Sequence, residues 1–78
     1  MKLHIASPEE HKILKVAWFE IDTPAGNFVI QAGHAPTVLT LKPESYIIIR
    51  LKSGKQESLQ AHSGLVHVTR KLATIILG

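Results

Sequence analysis

The chain has 78 residues, a formal net charge of +3 and no cysteine, which bounds it to one small domain over residues 1–78, burying roughly 60% of its unfolded surface. Hydrophobic residues make up 45% and charged ones 19%, too apolar for disorder, and no apolar run approaches the roughly 20 residues needed to cross a bilayer. Without thiols there is no disulfide staple, no thiolate zinc site and no cysteine nucleophile.

From the start, Lys2-Leu3-His4-Ile5-Ala6 alternates at period two and predicts a half-buried strand with Leu3 and Ile5 inward. The opening MKLHIASPEE carries one Lys and no apolar core, so no secretory signal is expected. Ser7-Pro8-Glu9-Glu10 breaks the strand, with room for a single helical turn at Pro8. Ile13 to Ile21 lacks a clean polar stripe and is rich in β-branched and aromatic residues. It predicts a strand with Ile13, Lys15, Ala17, Phe19 and Ile21 on one face and Leu14, Val16, Trp18 and Glu20 on the other.

Asp22 to Asn27 is a turn by composition. Two apolar runs follow, Phe28–Ile30 and Val38–Leu41, joined by the elbow Gln31-Ala32-Gly33-His34-Ala35-Pro36. Gly33 accepts a positive φ and Pro36 fixes its own, so a sharp corner between two neighbouring strands is expected, with the His34 imidazole at its tip. Tyr46 to Lys52 is the strongest strand in the sequence, with Ile47, Ile49 and Leu51 inward. It turns at Ser53-Gly54-Lys55 into a return strand ending at Ala61. Gly64 marks a bulge or a close backbone approach. Leu65 to Thr69, with Val66 and Val68 inward, and Leu72 to Leu77 complete the chain around an Arg70-Lys71 turn. About eight to ten short strands with Pro/Gly turns predict an all-β, antiparallel β-sandwich or flattened barrel.

No residue pattern here points to catalysis or to a cofactor. The five histidines, His4, His11, His34, His62 and His67, show no spacing diagnostic of metal. Neighbouring strand residues face opposite ways, so His62 and Ser63 form no base–nucleophile pair, and the carboxylates sit at turns or strand edges. Ser53-Gly54-Lys55 lacks the spaced glycines of a phosphate loop. Lys and Arg are dispersed rather than gathered on one face, which speaks against nucleic acid. A small basic β-barrel binding single strands on surface aromatics is the alternative reading. Trp18 and Phe19 are adjacent, so one fills the core and the other lies near the surface.

Taken together, Leu3-x-Ile5-x-Ser7-Pro8-Glu9, Gly26-x-Phe28, Gly33-His34-Ala35-Pro36, Leu41-x-Pro43, Ser63-Gly64-Leu65-Val66-x-Val68 and Leu72-x-Thr74-Ile75-Ile76 resemble the epsilon subunit of F-type ATP synthases. The likeness is to its N-terminal β-sandwich domain. Glu44 stands where that family has a Gly, Ser63 replaces the first Gly of a pair, and Asn27 replaces an acidic residue. The family's C-terminal helical hairpin has no counterpart in these residues. The resemblance implies a non-catalytic central-stalk (rotor) subunit without cofactor, docked on the gamma subunit and the c ring. It would lie on the cytoplasmic face of the membrane as part of the complex, coupling proton or ion flow to ATP synthesis. It also implies that Gly26, Asn27, His34 and Ala35 face the c ring together, at one end of the sandwich, and that Ser7 and Leu39 contact gamma.

Overall fold

A computed structural model describes residues 1–78 and contains eight strands and no helix. They are β1 (Lys2–Ala6), β2 (His11–Thr23), β3 (Gly26–Gln31), β4 (Thr37–Thr40), β5 (Ser45–Leu51), β6 (Gln56–Ala61), β7 (Gly64–Val68) and β8 (Leu72–Leu77). Two sheets share β2. Sheet I runs β4-β7-β8-β1-β2, using the first part of β2. In sheet II the remainder of β2 lies between β3 and β5, with β6 beyond.

The expected β-sandwich is present, with one difference in strand sense. The chain's first and last strands, β1 and β8, pair in parallel, while the other six pairings are antiparallel. No tight turn joins β1 to β8, so nothing forces them antiparallel.

The long strand β2 turns from one sheet into the other at an irregularity between Val16 and Trp18 in its pairing with β5. The extra residue, Ala17, shifts the inward phase: Val16, Phe19 and Ile21 are all fully buried, while Ile13 is 58% exposed. The uninterrupted alternation expected from the sequence therefore fails at this point, because a bulge moves every later side chain to the opposite face. Elsewhere the alternation holds. Leu3 and Ile5, Ile47 and Ile49, and Val66 and Val68 point into one core cluster with Phe19, Ile30 and Ile75.

Residues 28–43 do not form a corner between neighbouring strands. β3 pairs with β2 in sheet II and β4 with β7 in sheet I; the elbow is a crossover between layers. Gly33 takes φ 85°, and its N–H donates to the Arg70 carbonyl at 3.3 Å, tying the elbow to the β7–β8 turn. A six-residue elbow reaches the other layer, and Pro36, lacking an N–H, gives its end no ladder bond to a neighbour.

Ser7–Glu10 forms no helical turn. The Ser7 N–H and hydroxyl both donate to the Glu10 carbonyl, at 2.9 and 3.1 Å, closing the β1–β2 connection. The stretch His62-Ser63 is not a bulge but the crossover from β6 to β7. Gly64 answers to the other expectation, a close approach: a Cβ there would lie 2.6 Å from the Ile76 carbonyl oxygen and 2.9 Å from Leu41 Cδ1.

Candidate docking face

The outer side of sheet I follows from its registers. One row across the five strands reads Val38, His67, Thr74, His4, Ile13, and the next Thr40, Leu65, Ile76, Ala6, His11. Neither row contains a charged residue, and each spans roughly 19 Å at the usual strand spacing. Val38 is 64% exposed, Ile13 58%, Ile76 51% and Leu65 47%, so no element of this chain covers the face. Lys2 and Lys15 border it in the adjoining row. At its other end it continues into a shallow groove of about 590 Å³ that Leu41, Leu65, Ile76 and Leu77 share with Pro24 and Pro43.

Sheet II presents a different outer surface. Trp18, Glu20 and Asp22 project from β2, Tyr46 and Arg50 from β5, and polar Gln56, Ser58 and Gln60 from β6. The Arg50 guanidinium lies 5.8 Å from the Trp18 ring centroid and donates to the Gly54 carbonyl and to Gln56 Oε1. Those bonds hold Arg50 locally, as part of the β5–β6 hairpin. No group of three or more His, Asp or Glu side chains converges as a metal site would require.

The residues singled out from the sequence fall in several places. Gly26 and Asn27 begin β3 at the β2–β3 turn, whereas His34 and Ala35 follow its end. Strand β3 holds the two pairs roughly 17 Å apart along its length, so they do not share one end of the sandwich. Asn27 Nδ2 shares its two protons among Asp22 Oδ1 at 2.9 Å, Glu20 Oε2 at 3.2 Å and the Ile21 carbonyl at 3.2 Å. Its amide oxygen is left to solvent. His34 Nδ1–H donates to the Ala35 carbonyl at 2.8 Å, which orients the half-buried ring on an otherwise exposed elbow.

Ser7 Oγ is taken up in its own turn, accepting from the Glu10 N–H at 3.2 Å. Leu39 turns inward against the core, and its neighbours Val38 and Thr40 are the β4 residues that face out. Val38, Ile13, Leu65 and Ile76 were missed as contact residues. The available signal was apolar residues in both phases of TVLT, HKILKV and LATIIL, more than one buried side can use.

Glu44 adopts φ 55° in the β4–β5 connection, the left-handed region that glycine favours, at the position where the resembled family has Gly. Its carboxylate accepts from His62 Nδ1–H, 2.9 Å to each oxygen.

Two packed sheets around an apolar core, with one side left uncovered and uncharged, define a small β-sandwich domain with a face suited to contact. Residues 1–77 match the family model of the ATP synthase, Delta/Epsilon chain, beta-sandwich domain, and the chain belongs to that family. Among solved structures, a chain of the Euglena gracilis mitochondrial ATP synthase (OSCP/F1/c-ring, rotational state 1) is similar at TM-score 0.85 and 25% identity, over 96% of this chain and 48% of that one. A chain of the Tetrahymena thermophila mitochondrial ATP synthase central stalk and c-ring is similar at TM-score 0.84 and 17% identity, over 99% of this chain and 62% of that one, a likeness of fold. This chain thus spans about half to three-fifths of the length of those two. No curated protein sequence matches it.

Proposed function

We propose that this domain serves as a non-catalytic central-stalk subunit of an F-type ATP synthase, held between a gamma subunit and the c ring so that ion flow is coupled to ATP synthesis. Family membership supports the setting. The observation that carries the reading is the outer side of sheet I, where Ile13, Val38, Leu65 and Ile76 lie exposed in rows without a charge. Burying such a face against a partner removes apolar surface from water, and the β core beneath keeps it stiff. Gamma is its proposed occupant. The subunit would sit at the membrane through the complex, on the cytoplasmic face; no helix is long and apolar enough to cross.

Strand β3 separates the two pairs assigned to the ring by the resemblance, and we divide their roles accordingly. Gly26 and Asn27, at the β2–β3 turn, are offered to the polar loops of the c ring. His34 and Ala35 lead directly into β4 and border the gamma-facing side, with Val38 taking the part assigned to Leu39. Ser7 acts by shaping the β1–β2 turn. Single cysteines at Asn27, Ala35 and Val38, cross-linked within an assembled synthase, test the division. Asn27→Cys should join to c, and Ala35→Cys and Val38→Cys to gamma. An assembly in which none of the three cross-links overturns the stalk assignment.

A further inference from the structure

We propose that docking through the outer side of sheet I is gated by pH, through His4, His11 and His67. This rests on the reading of that side as the docking face. Three of the five histidines project from its two uncharged rows. The His4 and His11 rings lie 5.6 Å apart between centroids, inclined at 43°, and His67 shares the row of His4 across Thr74.

The charged groups around them are few and mostly of one sign. On β1 and β2 these are Lys2 and Lys15, and in the β7–β8 turn Arg70 and Lys71. β4 and β8 present none to this side. The only carboxylates nearby are Glu9 and Glu10, in the turn before His11, and Glu10 Oε1 is engaged by Lys12 Nζ at 3.5 Å. No carboxylate within the rows offsets a proton added to an imidazole.

A neutral imidazole is buried readily, but an imidazolium against an apolar partner loses its hydration without compensation. Docking therefore favours the neutral rings. Affinity is full above the range in which imidazoles release their protons and is lost as pH falls through it. Each histidine that must be neutral contributes on the order of tenfold over that range, so three contribute about 10²–10³-fold between pH 8 and pH 5.5. A stalk joint so built would loosen on acidification.

The test titrates purified gamma subunit with this chain at pH 8 and pH 5.5, for wild type and for the triple variant His4→Gln, His11→Gln, His67→Gln. The readout is each protein's own ratio of dissociation constants between the two pH values. A ratio of about 10² or more in wild type, collapsing toward one in the triple variant, supports the gate. A wild-type ratio near one, or a large ratio that persists in the triple variant, overturns it and leaves the docking face standing. No binding by wild type at pH 8 overturns the docking reading itself. His67→Arg, charged at both pH values, should already bind weakly at pH 8, and unaltered binding by it counts against the gate.

Discussion

Two single positions carry backbone constraints that side-chain chemistry does not reveal. Gly64 lies where β7 begins, and any Cβ there meets the Ile76 carbonyl oxygen at 2.6 Å. Leu41 can move aside, but a carbonyl of the neighbouring strand cannot. Gly64→Ala should destabilise the fold by roughly 1–3 kcal/mol, as overpacking does, measured by urea unfolding. Glu44 is the opposite case, a side chain held at φ 55° where glycine would sit without strain. Left-handed backbone costs a non-glycine residue about 1–2 kcal/mol, and the exposed bond to His62 returns only about 0.2–1 kcal/mol. Glu44→Gly should therefore leave the melting temperature within a few degrees of wild type, while the β-branched Glu44→Val should lower it. Equal melting of the two would mean the left-handed φ is not held in solution.

Among the elements, β2 decides the architecture, because one strand serves both layers. Its bulge at Ala17 allows Val16 and Phe19 to be buried together although they are three positions apart. Deleting Ala17 leaves Val16, Phe19 and Ile21 alternating in one inward phase but removes the bulge that bends the strand from one sheet into the other. The deletion should lower the melting temperature followed by circular dichroism, through loss of that bend and not of the buried set. A melting temperature equal to that of wild type would show that the bend needs no bulge. Ala17→Ser, at an exposed site, should stay within about 0.5 kcal/mol of wild type. The core this strand helps to close has little to spare. Phe19→Ala should cost roughly 3–5 kcal/mol, against a total of about 4–12 kcal/mol expected for a chain of this length. The elbow between β3 and β4 carries the chain between layers, and its Gly33–Arg70 tie is what fixes His34 beside the β7–β8 turn.

At the scale of the molecule, the two outer faces differ in kind. Sheet II mixes exposed Tyr46 and Val29 with carboxylates, a stacked arginine and amides, while the rows of sheet I show none of the charged types. If gamma docks on sheet I, Val38→Glu should weaken capture at least about tenfold by burying an unpaired carboxylate. Ser58→Glu, on the outside of sheet II, should leave capture unchanged. Both substitutions lie on exposed strand positions, so both proteins should melt within a few degrees of wild type. The reverse pattern would move the interface to sheet II.

Local pattern was enough to specify much of this protein. Period-two alternation marked the inward residues of β1, β5 and β7, and glycines at Gly33 and Gly54 marked turns that do take positive φ. The spacing of Gly33-His34-Ala35-Pro36 among the strands pointed to the family. Alternation, however, is blind to a single inserted residue, so the phase change at Ala17 was invisible until β5 supplied a register. Strand partners are set by long-range pairing, which is why an elbow that reads as a corner within one sheet proved to be a crossing between two. The same cause hid the docking face: Ile13, Val38, Leu65 and Ile76 are far apart in the chain, and only the registers of five strands gather them into one uncharged surface.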